Sequence, residues 1–385
     1  MLKAFEPLYA VFYNKNMKYV SLSAIQKETI KEDYLSIEQS SFTLLSNIQI
    51  GEAVFVEIKP MYEAGDSFVG KIKSVCKKNG ITQVDCVPVQ SIFDTEFYCA
   101  FGAPANAFSS TIGNSAISQL MHAMLAVLKL DSAYYNYGGD TSYRYFPARV
   151  IADKKSGGDV DNSLYSKELG LNNVFDAITE LFKLYSVVVK AYVTVEEVDY
   201  RVLNFKISIQ KTVEGEHLQT IDATLGNVLD FEVTDDAKNA VNMLTIFNKS
   251  TFPNGRALKT YVRTDVGIVT ELDLNKYANM RTVVAKAAEA EDADFQSGEI
   301  ENIAKKELDI AQFKSEIQIT YKYGDNLVNE NSIDIGTRAT IRTETDEYYS
   351  VLSGYEINGG KVKYIFGYGR NKLTQMLAEQ RRANK

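Results

Sequence analysis

The chain has 385 residues, 45% of them hydrophobic and 24% charged, with a formal net charge of −8; these are the proportions of a globular protein of roughly two to four domains. The acidic balance excludes generic attraction to phosphate backbones or anionic membranes, and no run of ~18 uncharged apolar residues offers an ordinary membrane span. Tyr (24) and Phe (19) are abundant, Trp is absent and Pro numbers only 6, a composition that favours sheet.

The N-terminus carries charges and tyrosines through what would be the apolar part of a signal peptide, so export by that route is not expected and the chain is expected to fold in a cytoplasm. AVFY and KYVSLS, either side of Asn14-Lys15-Asn16, predict a β-hairpin. A polar stretch leads to Phe42, and Ile48-Gln49-Ile50-Gly51 opens two period-two strands that turn at Asn79-Gly80 and close by Val89. Residues 1–98 thus supply five or six strands, enough for a small barrel or sandwich. Cys76 and Cys86, on the two arms of this hairpin, read as small buried residues. With Cys99 they make an odd number without a CxxC pair, and structural zinc is not expected from them and His122.

Residues 99–230 form an inserted α+β region. Ile112, Ala116, Leu120, Ala123, Met124, Val127 and Leu128 recur at helical spacing, predicting a helix near 111–130 with His122 off its apolar stripe. The tyrosine-rich segment 131–146 is loop or edge strand, either a contact surface or part of the domain's own exterior. A flexible link at Lys155 to Asp161 precedes a second helix near 172–186, with Asn172 and Asn173 as caps and Val174, Ile178, Leu181, Phe182 and Tyr185 on one face. A hairpin at 187–213 follows.

Residues 231–370 read as a second β-rich domain. NMLTIFN, LKTYVRT and GIVTEL are its early strands; the Ala-, Glu- and Lys-rich stretch from Thr282 to Phe313 favours helix, with an inserted helix near 299–313. The acidic run Glu289 to Asp294 reads as a solvated face or an interhelical loop. EIQITYKY then leads to Ile333-Asp334-Ile335-Gly336, alternating strands and a Gly359-Gly360 turn, closing at Gly369. This repeats the grammar of Ile48 to Cys86 landmark by landmark, unless the two are unrelated hairpins. Residues 371–385 form a basic C-terminal tail. The fold class is therefore α+β, mainly β: two small β-barrel-like domains related by an internal repeat, with the helix-plus-hairpin region inserted.

Catalytic chemistry has little to stand on. His122 and His217 are the only histidines, neither is patterned with a Ser or Cys, and no Gly-rich phosphate loop opens a helix. Glu196, Glu197 and Asp199 offer a carboxylate pair, yet adjacent strand residues point to opposite faces, which leaves only Glu197 with Asp199. No catalytic, cofactor-binding or metal-ligating residue is assigned, and no enzyme is expected. An oligonucleotide-binding barrel needs a basic groove that this acidic chain does not offer.

The order of parts resembles the hub portion of the tail-associated (Tal) proteins of long-tailed phages of Gram-positive bacteria, the phage tail-tip or baseplate hub proteins. The matching stretches are Ile48 to Val54 (IQIGEAV), Phe68 to Ile72 (FVGKI), Asn172 to Val193, Asn242 to Asn248 (NMLTIFN) with Asp265 to Leu272, and Ala304 to Asp325. The last leads to IDIGTRATI and to Tyr364 to Arg370 (YIFGYGR). The resemblance runs over most of the chain, and its strength lies in the order of short motifs. It implies a homotrimer with two barrel-like domains per subunit, six similar barrels in a ring. Such a ring adapts the sixfold tail tube and distal tail protein ring to a threefold tip and closes the DNA channel until ejection. Implied partners are a second and third copy of the chain, the distal tail ring, the tape-measure protein and receptor-binding proteins. DNA passes without specific binding, and the location is the tail tip of the virion. Longer relatives carry a C-terminal peptidoglycan-degrading or carbohydrate-binding extension; this chain stops shortly after Gly369, so a lytic role is not expected. The alternative is a cell-surface glycan-binding module, suggested by 131–146.

Overall fold

The computed structural model describes residues 7–44, 48–61, 67–101, 116–128, 147–152, 167–197, 200–209, 219–226, 228–234, 241–249, 258–264, 267–270, 285–297, 299–312, 315–322 and 333–369. The chain is mainly β. It divides into two compact units, residues 1–231 with 318–365 and residues 232–317 with 366–385.

The first unit begins with six strands: β1 (Leu8–Asn14), β2 (Tyr19–Asp33), β3 (Ser40–Leu44), β4 (Ala53–Pro60), β5 (Phe68–Lys78) and β6 (Ile81–Pro88). They pair in the order β1-β4-β5-β6-β3-β2, and β2 returns to β1, so the sheet closes as an antiparallel barrel. Closure removes the exposed edges that an open sheet of this length would carry. The β1–β2 turn is set by Asn14, whose Oδ1 accepts from the backbone N–H of Asn16 (2.9 Å) and Lys18 (3.1 Å). Alternation along β1 sends Phe12 toward Phe42, their ring centroids 6.3 Å apart. Its neighbours Val11 and Tyr13 pack instead with the inserted helices.

The insertion holds β7 (Glu96–Phe101), α1 (Ala116–Val127), β8 (Ala148–Ala152), β9 (Lys167–Asn173), α2 (Val174–Tyr185), β10 (Val187–Glu197) and β11 (Tyr200–Ile209). β10 and β11 form the expected hairpin, to which β8 adds in parallel. Asn173 caps α2, its Oδ1 accepting from Phe175 N (2.9 Å) and Asp176 N (3.2 Å), and Ser186 ends the helix in the left-handed region at φ 54°. Leu120 and Met124 of α1, Ile178 and Leu181 of α2, and Leu203 and Phe205 of β11 share one core with Val11, Phe55 and Val69 of the barrel wall. Phe93, in the short 3-10 turn after β6, meets Phe205 edge-on at 4.9 Å.

The repeat is visible in the connectivity. β12 (Gln219–Asp222) and β13 (Val228–Thr234) precede the second unit's elements, and β18 (Glu316–Lys322), β19 (Arg338–Arg342), β20 (Glu347–Asn358) and β21 (Lys361–Phe366) follow them. These six pair in the order β12-β19-β20-β21-β18-β13. Taken first to sixth along the chain, both sets read one-four-five-six-three-two. They differ at the first strand: β1 is antiparallel to β4, whereas the short β12 is parallel to β19. Closure by the first and second strands occurs only in the first set among the described residues.

The second unit contains β14 (Met243–Asn248), β15 (Leu258–Thr264), β16 (Gly267–Thr270), β17 (Ala285–Ala290), α3 (Asp292–Ser297) and α4 (Glu299–Gln312). Its sheet runs β16-β15-β14-β17, and Ile300, Ala304 and Leu308 of α4 pack on Leu244, Ile246 and Tyr261. Here one expectation is corrected: Ala285–Ala290, read as helix from its alanines, is a strand parallel to β14. Pairing with a preformed neighbour outweighs the few tenths of a kcal/mol per residue by which propensity favours helix. Glu289 accordingly lies within that strand, and Asp292 and Asp294 lie in the first turn of α3, where carboxylates suit the helix dipole.

Candidate functional site

The place where the two six-stranded sets meet is built by the far half of β2. Its first half pairs with β1, after which Thr29–Asp33 pair antiparallel with Asn358–Gly354 of β20. The backbones come close here: a Cβ on Gly354 would lie 2.9 Å from the Glu32 carbonyl oxygen and 3.2 Å from Asp33 Cα. Tyr34 N then donates to Ser353 O at 3.0 Å, continuing the ladder.

Side chains lock the joint. The Tyr355 hydroxyl donates to Glu32 Oε2 at 2.7 Å, and Lys31 faces Glu356 at 3.7 Å. The Tyr34 hydroxyl and Gln90 Nε2 both donate to the carbonyl of Val189 on β10, at 2.7 and 3.1 Å, and Thr179 Oγ1 of α2 donates to Tyr34 O at 3.1 Å. The next residue of β10, Lys190, is ion-paired with Asp334. Asp334 belongs to the repeated Ile-x-Ile-Gly landmark, where Gly336 turns at φ 89° and donates its N–H to Leu352 O at 2.8 Å. The joint therefore ties the barrel, the second set and the insertion into one hydrogen-bonded network.

Desolvation pushes the Glu32 carboxyl up from the usual carboxylate range, and the Tyr355 hydroxyl and Lys190 pull it only part of the way back. Burial, with the charges of Glu32 and Asp334 adding, drives the Tyr34 hydroxyl well above an ordinary tyrosine, so it stays a neutral donor. Such perturbed groups often mark catalysis. Here each one is committed to a strand-joining hydrogen bond, so the arrangement holds surfaces together.

The carboxylates weighed for hydrolysis are not assembled. Glu196 is engaged by Arg149, whose Nη2 lies 3.0 Å from Glu196 Oε2; the Glu197 side chain and Asp199 lie outside the described residues. His122 is half-buried on α1, and His217, the 131–146 segment and the 371–385 tail are also outside the described residues. The reading of both hairpin cysteines as buried is corrected: Cys86 is fully buried with its thiol pushed up to about 12, but Cys76 is exposed. Beyond Lys71 the arm of β5 leaves β4, and side chains on both its faces reach solvent. Among the described residues no cluster of three His, Cys, Asp or Glu suits a metal ion, and no helix is long and apolar enough to cross a membrane. The joint itself was missed at sequence level. The polar stretch after Ile25, read as a connection, is the far half of β2, and its composition gives no local signal for the joint.

No protein-family model matches the chain, and no curated protein sequence matches it. Solved structures do. The 43 kDa tail protein of prophage MuSo2 from Shewanella oneidensis superposes with a TM-score of 0.50 at 10% identity, over 94% of this chain and 98% of that one. The prophage tail protein gp18 from Listeria monocytogenes gives 0.48 at 11% identity over 98% and 99%, and a chain of the phage P2 baseplate gives 0.46 at 14% identity over 95% and 100%. At 10% identity the likeness to the Shewanella protein concerns fold, and it extends over nearly the whole of both chains. The fold of this chain is therefore similar to that of a prophage tail protein.

Proposed function

We propose that the chain is a structural, non-catalytic hub subunit of a phage tail tip or baseplate, acting as a homotrimer in the virion. Three copies, each bringing two six-stranded sets, present six similar surfaces to the sixfold tail tube and distal tail ring while keeping threefold symmetry toward the tip. The ring closes the DNA channel until ejection, and an acidic wall repels the phosphate backbone that later slides past it. Tape-measure and receptor-binding proteins are its further neighbours.

The observation that carries this reading is the repeated strand order, joined edge to edge within one chain by β2 and β20. A chain that matches two symmetries needs two near-equivalent modules in fixed relation, and the buried network at the joint supplies that relation. Light scattering and native mass spectrometry of the purified chain, alone and with a distal tail ring protein, test it. Three copies, free or on the ring, are the expected result. A monomer at high concentration that ignores the ring protein overturns the reading.

A further inference from the structure

The pairing that joins the two sets is head-to-tail: β2, second in its set, offers an edge to β20, fifth in the other. The repeat leaves one acceptor and one donor of the same kind. The acceptor is β5, which occupies in the first set the place of β20. It pairs with β4 only through Phe68–Lys71. The turns Asn79-Gly80 and Gly359-Gly360 align Ser74–Lys78 with Gly354–Asn358, and along this stretch the edge facing away from β6 carries no strand among the described residues. The donor is β13, the counterpart of β2, which among the described residues ends the sheet with β18 on one side.

Burial separates the occupied edge from the free one. On β20, residues 350–355 and Ile357 are buried. On β5, Lys73–Lys78 are all exposed, Val75 at 40%, with Ile81 of β6 at 48%. No residue of β13 is fully buried, and Leu229 is 49% exposed. Charge matches the two. β5 carries Lys71, Lys73, Lys77 and Lys78 and no acid, while β13 carries Asp230 and Glu232 and no base. Within the chain the same joint uses one such pair with the signs exchanged, Lys31 on β2 against Glu356 on β20. Lysines alone would serve to keep a bare edge solvated. An acidic strand with exposed apolar side chains, at the repeat position of the strand that covers β20, indicates what these lysines receive.

We propose that β13 of one copy adds as an antiparallel strand to the free edge of β5 in the next copy, reproducing between molecules the joint that β2 and β20 make within one. The contact is heterologous, so it closes a ring when the rotation per copy divides a full turn. It rests on the ring-forming reading above and specifies its interface.

Charge reversal tests it. Lys77→Glu with Lys78→Glu lowers the solution mass from the assembly to the single chain, and adding Asp230→Lys with Glu232→Lys to the same chain restores the assembly. All four side chains are exposed, Lys77 also donating to Ile48 O at 3.0 Å, and an unchanged thermal midpoint shows that the fold is kept without that bond. As an independent measure, Cys76 lies on the free edge. Single cysteines placed in turn at 228 to 234 give disulfide-linked multimers for at least one position, and Cys76→Ser abolishes them. An assembly that keeps its mass after Lys77→Glu/Lys78→Glu and forms no such cross-link overturns this interface while leaving the ring intact. A wild-type chain that never assembles removes the ring reading instead.

Discussion

Glu32 sits where two strands from opposite ends of the sequence cross, and its titration reports on their union. Its folded-state pKa is raised above 4.5, chiefly by desolvation. The folded state therefore binds the proton more tightly than the unfolded chain, and the stability tied to it is fully present below 4.5 and lost as pH rises through the folded value. Among the described residues, Tyr355, Asp334 and Lys190 are the groups that act on it. Glu32→Gln keeps an acceptor for the Tyr355 hydroxyl and removes the ionisation. Thermal melts are expected to show the variant at or above wild type at pH 8, with the difference shrinking toward pH 4. A wild type that gains on the variant as pH rises contradicts the assignment. Gly354 tests the same joint through shape. An alanine Cβ meets backbone at 2.9 Å, whereas at Gly51 nothing lies within 4 Å. Gly354→Ala is expected to cost ~1–3 kcal/mol, typical of overpacking against groups that cannot move aside, and Gly51→Ala close to nothing. Equal denaturation midpoints for the two variants remove the close approach as a constraint.

Among the elements, α2 and β17 show how local and tertiary preferences trade. α2 has every local signal: Asn173 as cap, Asp176 in the first turn, Lys183 in the last, and an apolar face of Ile178, Leu181 and Phe182. Its extent was legible because these terms act within a few residues of chain. Asn173→Ala is expected to lower stability by about 1 kcal/mol, and Asn173→Ser to recover most of the loss, read as shifts in the urea midpoint. Equal midpoints for all three would show that the cap contributes nothing. β17 has the composition of a helix and the structure of a strand, since β14 offers it a ladder that no feature of its own sequence announces. The long β2 is similar. Its first half alternates as a strand, but its far half reads as a polar stretch, and that it continues the strand onto β20 depends on a partner more than three hundred residues away.

At the scale of the molecule the repeat has a topological meaning that composition cannot express. Two sets of six strands with one connectivity, each interrupted or followed by an α+β insertion, form a chain that already contains one set-to-set contact. If that contact is the rule of assembly, the mass of the particle and its sensitivity to the β5 lysines vary together. Legible in the residues alone were the mainly β class, five or six strands ahead of the insertion, the helix-plus-hairpin insertion and the paired Ile-x-Ile-Gly landmarks. Those features come from periodicity, turn chemistry and capping, which operate over a few residues. Which distant strands pair emerges from the folded chain alone. It drew β12 and β13 into the second set with β18–β21, left β14–β17 with α4 as a separate unit, and seated Glu32 against Tyr355. Strand pairing couples residues through space, and a single sequence records each edge of a pair without recording its partner.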